Sequence, residues 1–289
     1  MKFTGERLTS QIAEYWAVEH LHRYALTFNH IDKKTVVDIA SGEGYGSYLM
    51  SKYAESVVGI DISDEAVYYA QNKYSAGNLK YVLGSAFKIP LDDNSVDVVV
   101  SFETIEHHDQ HEEMMLEIKR ILKNDGLLII SSPDRLNYSE IPEYANPFHV
   151  KELYFEEFRD LLVKHFTNNI FFRQKSVIGS LLVSDSVSLK AVEYSGNYEK
   201  ILSGNLVEKP MYHIAYCSND EINTEILRDS FFSAEEFIGS NVDDLFREMG
   251  ELREGKNIIY NSLQYRIGEK IINLLRPLKR ITKLLINNK

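Results

Sequence analysis

Between Phe102 and His111 the chain reads F-E-T-I-E-H-H-D-Q-H, three carboxylates and three imidazoles within ten residues. Histidine ordinarily titrates near neutral pH, so an imidazole held beside a substrate hydroxyl can take its proton. His107 is one candidate for that work. A second is His149, which closes the run N-P-F-H at Asn146 to His149. Glu103 and Glu106 are candidates for binding an acceptor's hydroxyl groups. Glu103, His107 and His111 would share one face if the stretch were helical, a set that a metal ion could use. The spacing matches none of the common zinc signatures, and no metal is expected.

These residues follow an almost wholly apolar run, Val96 to Phe102, of the kind that forms a central parallel strand buried on both faces. Ligands bind at the carboxyl ends of such strands, which is where the histidines fall. An earlier strand, Thr35 to Ile39, passes into a loop with Gly42, Gly44 and Gly46, followed by a helix expected over Ser47 to Tyr53. Glycine allows positive φ and leaves no Cβ in a ligand's way. The next strand, Ser56 to Ile60, ends at Asp61, 23 residues past Asp38, where a carboxylate can accept the two hydroxyls of a ribose. That arrangement suits any adenosine cofactor, NAD and FAD included.

The remaining elements follow from periodicity and turn residues. Ile12, Tyr15, Trp16, Leu21 and Tyr24 fall at helical spacing before the first strand. Glu19, His20, His22 and Arg23 form either a solvated face with an i,i+4 pair, Glu19 to Arg23, or part of a substrate lid. A helix opened by Ser63 runs to Tyr74, strands cover Leu79 to Leu83 and Leu127 to Ser132, and a helix covers His111 to Leu122. Residues 134–150, with Pro142, Pro147 and several tyrosines, are too long for a plain connection and suit a lid or acceptor wall. An amphipathic helix over Lys151 to His165 follows. V-I-G-S-L-L-V and M-Y-H-I-A-Y are final antiparallel strands with a polar insertion between them.

The ordered series D-I-A-S-G-E-G-Y-G, V-V-G-I-D-I-S, G-S-A-F-K-I-P-L, V-D-V-V-V-S-F-E-T-I-E-H and E-I-K-R-I-L-K-N-D-G-L-L-I-I-S resembles the motifs of class I S-adenosylmethionine (SAM) dependent methyltransferases of the type 11 kind. The resemblance covers about Phe3 to Ser218 and is nearest to the glycan and surface-polysaccharide enzymes. It implies a doubly wound α/β fold with a mostly parallel seven-stranded sheet. It also implies SAM as cofactor, with Gly42, Glu43, Gly44 and Tyr45 near its methionine part and Asp61 on the ribose. Ser85, Ala86 and Phe87 would surround adenine and Phe102 would lie near the sulfonium, with Asp38, Ala40 and Ile62 in the same shell. Where the family often has an adenine-binding aspartate, this chain has Ser85. Tyr15 joins Glu103 and Glu106 on the acceptor side.

The implied domains are 1–218 for catalysis, divided into a cap (1–34), a cofactor core (35–133) and an acceptor-side segment (134–218), and a helical extension, 219–289. The implied reaction is methylation of a hydroxyl on a sugar or glycan intermediate. The alternatives are a C- or N-methyltransferase of a quinone or amine, a SAM-binding scaffold without turnover, and more remotely an NAD oxidoreductase.

A net charge of -11 argues against a general nucleic-acid binder. One cysteine, Cys217, excludes an internal disulfide and suits a reducing cytoplasm, where it reads as a buried small residue. The N-terminus has no apolar run of signal-peptide length, so the expected location is cytoplasmic. From Arg266 onward seven lysines and arginines face a single acid, Glu269, among regularly spaced Ile and Leu. That basic amphipathic helix suits the inner face of a membrane, another copy of the chain, or the catalytic domain itself.

Overall fold

The computed structural model describes residues 16–177, 179–184, 192–196, 201–205 and 209–233. Five helices are placed: α1 (Trp16–Thr27), α2 (Tyr45–Ser51), α3 (Asp64–Lys73), α4 (His111–Ile121) and α5 (Phe155–His165). The strands are β1 (Thr35–Ile39), β2 (Ser56–Asp61), β3 (Leu79–Leu83), β4 (Val96–Ser101), β5 (Leu122–Pro133), β6 (Asn168–Val177), β7 (Gly179–Ser184), β8 (Val192–Gly196), β9 (Ile201–Asn205), β10 (Tyr212–Ser218) and β11 (Ser230–Ser233). Nine of them form one sheet in the order β11-β7-β6-β10-β5-β4-β1-β2-β3, and β8 and β9 make a separate hairpin. Strands β1 to β5 are mutually parallel; β10 is antiparallel to both β5 and β6.

The pleat sorts the apolar runs into two layers. Val37, Ile39, Val99, Leu128 and Ile130 face Met114 and Ile118 of α4 and Phe158 and Leu162 of α5. Val36, Val98, Val100 and Ile129 face the opposite way, with Tyr24 of α1 and Met50 of α2. Both faces of the central strands are thus covered, the condition that makes their sequences continuously apolar. Two glycines are fixed by close approach. A Cβ on Gly46 would lie 1.9 Å from the Tyr24 ring, and Gly44, at φ 94°, would press one to 2.7 Å from Ala70.

The expected seven-stranded sheet is present as β1 to β6 with β10, extended by the edge strands β7 and β11. β11 corrects the expected boundary at 218. Residues 219–233 do not open a helical extension: after a 3-10 turn at Thr224–Ile226, Ser230 to Ser233 pair antiparallel with β7. The short S-F-F-S segment carries little strand signal by itself, and the exposed edge of β7 recruits it. The expected strand V-I-G-S-L-L-V is present as β7, and the insertion expected between it and β10 contains the β8–β9 hairpin. β5 begins earlier than Leu127 because Leu122 already pairs with Val96, residues 123–126 looping out before Leu127 pairs with Val98. No helix among the described residues is long and apolar enough to cross a membrane. Tyr15 and the basic stretch 266–289 lie outside the described residues.

Candidate active site

In the sheet register Ile39 pairs with Ile60 on one side and Ser101 on the other. The next residues, Ala40, Asp61 and Phe102, therefore leave the sheet at one level. This is the switch point where the chain, having run outward through β2 and β3, returns to β4 beside β1, and a crevice opens there. A cavity of about 840 Å3 occupies it, lined at one end by the glycine loop and at the other by the 134–150 segment.

At the first end Ala40 and Gly42 both adopt positive φ, 58° and 55°. The buried Asp61 carboxylate accepts Gly42 N–H at 2.9 Å with one oxygen and Ser63 N–H at 2.9 Å with the other. These bonds orient it; a carboxylate offers about four acceptor sites, so it can take hydroxyl donors as well. Ile62 stays 67% exposed, and with Ala86 and Phe87 it supplies apolar wall. Ser85, Glu43, Tyr45 and Phe102 also line the cavity, and Glu43 pairs with Lys73. Tyr24 meets Phe102 and Tyr45 edge-on at centroid distances of 5.2 and 5.7 Å, forming an aromatic wall at mid-cavity.

Gly44 and Asp38 are not on the cavity wall. Asp38 is buried beneath the loop, accepting Ser47 Oγ at 2.6 Å and, weakly, Tyr24 Oη at 3.4 Å. Burial raises its carboxyl to about 7, the two hydroxyl contacts acting in the opposite direction. The unfolded carboxyl titrates near ~4. A raised native value contributes stability that is fully present below that pH and is lost as pH rises through 7. Asp38→Asn keeps an acceptor for Ser47 and removes the ionisation. In denaturant titrations without ligand its stability relative to wild type should therefore rise between pH 5 and pH 8, by on the order of 2 kcal/mol. An identical difference at both pH values would contradict this.

The second end is polar. Glu103, at φ 50°, turns its carboxylate to Ser131 Oγ at 2.6 Å and to the guanidinium of Arg23 at 3.4 Å. Arg23 is fully buried, donates to Gln174 Oε1 at 3.0 Å and lies over the Tyr212 ring. Glu19, only 7% exposed, lines the cavity, and burial raises its carboxyl. The Glu19 and Arg23 side of α1 is therefore a buried wall and not a solvated face.

Ile105–His107 form a 3-10 turn, and α4 begins only at His111. The helical face of Glu103, His107 and His111 does not exist, because Glu103 takes a left-handed φ of 50° after β4 ends at Ser101 and only a 3-10 turn follows before α4. His111 turns from the cavity and its Nε2 donates to His108 O at 2.8 Å. His149 is brought in instead. The Glu106 carbonyl accepts Val150 N–H at 2.8 Å and Lys151 N–H at 3.0 Å, fastening the 134–150 segment to the turn. His107 and His149 then meet edge-on at 5.1 Å, with Glu106 Oε1 3.9 Å from one Nε2 and 4.0 Å from the other.

Both rings have assignable tautomers. His107 Nδ1 sits 3.0 Å from Phe148 O, and a carbonyl only accepts, so Nδ1 carries the proton. His149 Nδ1 lies 2.5 Å from Glu152 Oε1, which also accepts Ser139 Oγ. Asn146 Oδ1 accepts Phe148 N–H, so its amide nitrogen faces His149 Nε2 at 3.0 Å, and that nitrogen is an acceptor. Tyr138 stacks on His149 at 5.3 Å. The sequence reading missed Glu152, Tyr138 and Asn146. The signal was available in N-P-F-H-V-K-E, with an acid three residues after His149.

The sheet order and the crevice define a Rossmann-like fold. Residues 37–130 match the family model described as a methyltransferase domain. A probable S-adenosylmethionine-dependent methyltransferase of Mycolicibacterium smegmatis is 33% identical over 165 residues, 56% of this chain and 63% of that protein. A demethylmenaquinone methyltransferase of Chlorobaculum tepidum is 29% identical over 163 residues, with the same two coverages, 56% and 63%. The chain thus spans less than two thirds of the length of these relatives. A SAM-dependent methyltransferase of Thermotoga maritima, a possible histamine N-methyltransferase, shares the fold. Its crystal structure has a TM-score of 0.52 over 71% of this chain and 91% of that one, at 19% identity. Residues 37–130 thus match a methyltransferase domain, and S-adenosylmethionine is the cofactor that this match and the S-adenosylmethionine-dependent relative imply.

The cavity fits that molecule. With the cofactor bound, the Asp61 carboxylate would suit a ribose diol, Ile62 and Phe87 an apolar purine face, and the Tyr24, Tyr45 and Phe102 rings a cationic sulfonium. Ser85 lines the cavity beside Phe87, its hydroxyl accepting Phe87 N–H at 3.4 Å.

Proposed function

We propose that this protein transfers a methyl group from S-adenosylmethionine to a hydroxyl of a sugar or glycan intermediate. One observation carries the reading: the cavity wall beyond the cofactor residues is built of carboxylates, imidazoles and tyrosines, Glu103, Glu106, His107, His149, Tyr138 and Tyr144. Carboxylates and imidazoles accept hydroxyl hydrogen bonds, and tyrosine rings cover the C–H faces of a pyranose.

S-adenosylmethionine supplies a sulfonium-bound methyl group and leaves as a neutral thioether, so no acid is required. The chain's task is to hold the acceptor oxygen in line and to remove its proton. Glu103, fixed by Arg23 and Ser131, positions the acceptor through a neighbouring hydroxyl. The group formed by Glu106, His107 and His149 draws off the proton of the reacting one. The 134–150 segment contributes Tyr138, Asn146 and Phe148 to the cavity wall around the acceptor.

A second reading has its own support. Leu136, Ile141 and Tyr144 are exposed on the 134–150 segment, a surface that suits a lipid-like acceptor. The demethylmenaquinone relative agrees with methylation of a quinone carbon. Incubating the protein with methyl-labelled SAM and panels of nucleotide sugars, quinols and amines separates the two. Label in an alkali-stable methyl ether of a sugar supports the first reading; label confined to quinols or amines overturns it.

A further inference from the structure

We propose that Glu106, His107 and His149 hold a divalent transition-metal cation that activates the acceptor's hydroxyl. One donor atom from each residue lies within 4.8 Å of the others. With Glu106 Oε1 3.9 and 4.0 Å from the two Nε2 atoms and all three within 4.8 Å, a point equidistant from them is about 2.5 Å or less from each. Shifts of a few tenths of an ångström would therefore reach the ~2.0–2.2 Å of metal–nitrogen and metal–oxygen bonds. Two imidazoles and one carboxylate on one side of an ion, with the other positions facing a cavity, suit iron, manganese or zinc.

Two further observations point to a ligand. Glu106 is only 1% exposed and its Oε2 has no hydrogen-bond partner. A buried carboxylate oxygen left in that state costs several kcal/mol unless a cation or donor meets it. The rings are also oriented from behind. Phe148 O and the Glu152 carboxylate hold the two Nδ1–H groups, the outer-shell pattern that directs Nε2 lone pairs at a metal. The cation would replace the Asn146 amide as the partner of His149 Nε2.

An acceptor hydroxyl bound at an open position would lose its proton more readily, as metal-bound water does. In this part the inference rests on the hydroxyl-acceptor reading. His107 and His149 are then ligands, and the hydroxyl proton leaves to solvent.

The test uses the full chain, stripped with a chelator and shown by elemental analysis to be metal-free. It is titrated with Mn2+ followed by electron paramagnetic resonance and with Co2+ followed by visible absorption. One ion per chain is expected, with Glu106→Gln and His149→Ala each weakening it at least 30-fold. SAM affinity, which depends on the other end of the cavity, should stay within about threefold and so report that the variants are folded. Absent stoichiometric binding, or binding that the substitutions leave unchanged, overturns the proposal. Undiminished hydroxyl methylation by the metal-free chain also overturns it and leaves the hydroxyl reading standing. A bound ion lost in both variants, together with methylation of nitrogen or carbon alone, supports the cation site and removes the hydroxyl reading.

Discussion

Replacing both His107 and His149 by alanine is expected to lower turnover with a hydroxyl acceptor by about 10^3-fold or more while SAM still binds. Loss of proton removal alone accounts for roughly 10^2 to 10^4 in rate. The two imidazoles converge on one carboxylate, so the single substitutions should together account for more than the double loss. Glu152→Gln should cost about 10- to 100-fold, because it leaves His149 Nε2 in place and weakens only the group that orients the ring. Acceptor turnover and SAM affinity measured on the same preparations check this. Turnover within tenfold of wild type in the double variant would remove the activating role of these residues and favour transfer to carbon or nitrogen.

The second large effect is at Asp61. Its carboxylate is placed to accept two ribose hydroxyls, and charge-assisted hydrogen bonds contribute about 1.5–3 kcal/mol each. Asp61→Ala should therefore weaken SAM by on the order of 100-fold. Part of that loss comes through the loop, because Asp61 Oδ2 also fixes Gly42 N–H. Asp61→Asn keeps one oxygen for Gly42 and separates the two contributions: a loss of about tenfold is expected. Equal losses in the two variants would assign the effect to ionic charge alone. No loss in either would take the ribose away from Asp61.

The glycine-loop end of the cavity was legible in the sequence because its signals are local. Buried parallel strands read as apolar runs, and the residue after each run is necessarily at the sheet's edge, so Ala40, Asp61 and Phe102 could be placed by position alone. The acceptor end was legible only in residue types. Glu106 and His149 are 43 positions apart, and they meet through two backbone bonds from Val150 and Lys151 that no periodicity announces. The metal set considered from spacing, Glu103 with His107 and His111, assumed helix where a 3-10 turn intervenes. Arg23 looked like a surface partner of Glu19, yet it is buried between Glu103, Gln174 and Tyr212. Polar residues on an amphipathic helix cannot reveal that their face meets a second polar wall. β11 was lost for a similar reason, since a four-residue edge strand depends on the neighbour that recruits it.

The central claim is that the crevice between β1 and β4 is a SAM site, and calorimetric titration of the unaltered chain with SAM and, separately, with NAD tests it most directly. One SAM per chain at micromolar affinity, about -8 kcal/mol, with no heat from NAD is the predicted result. Silence with SAM, or saturable binding of NAD in its place, would contradict it and leave the glycine loop a site for a different adenosine cofactor.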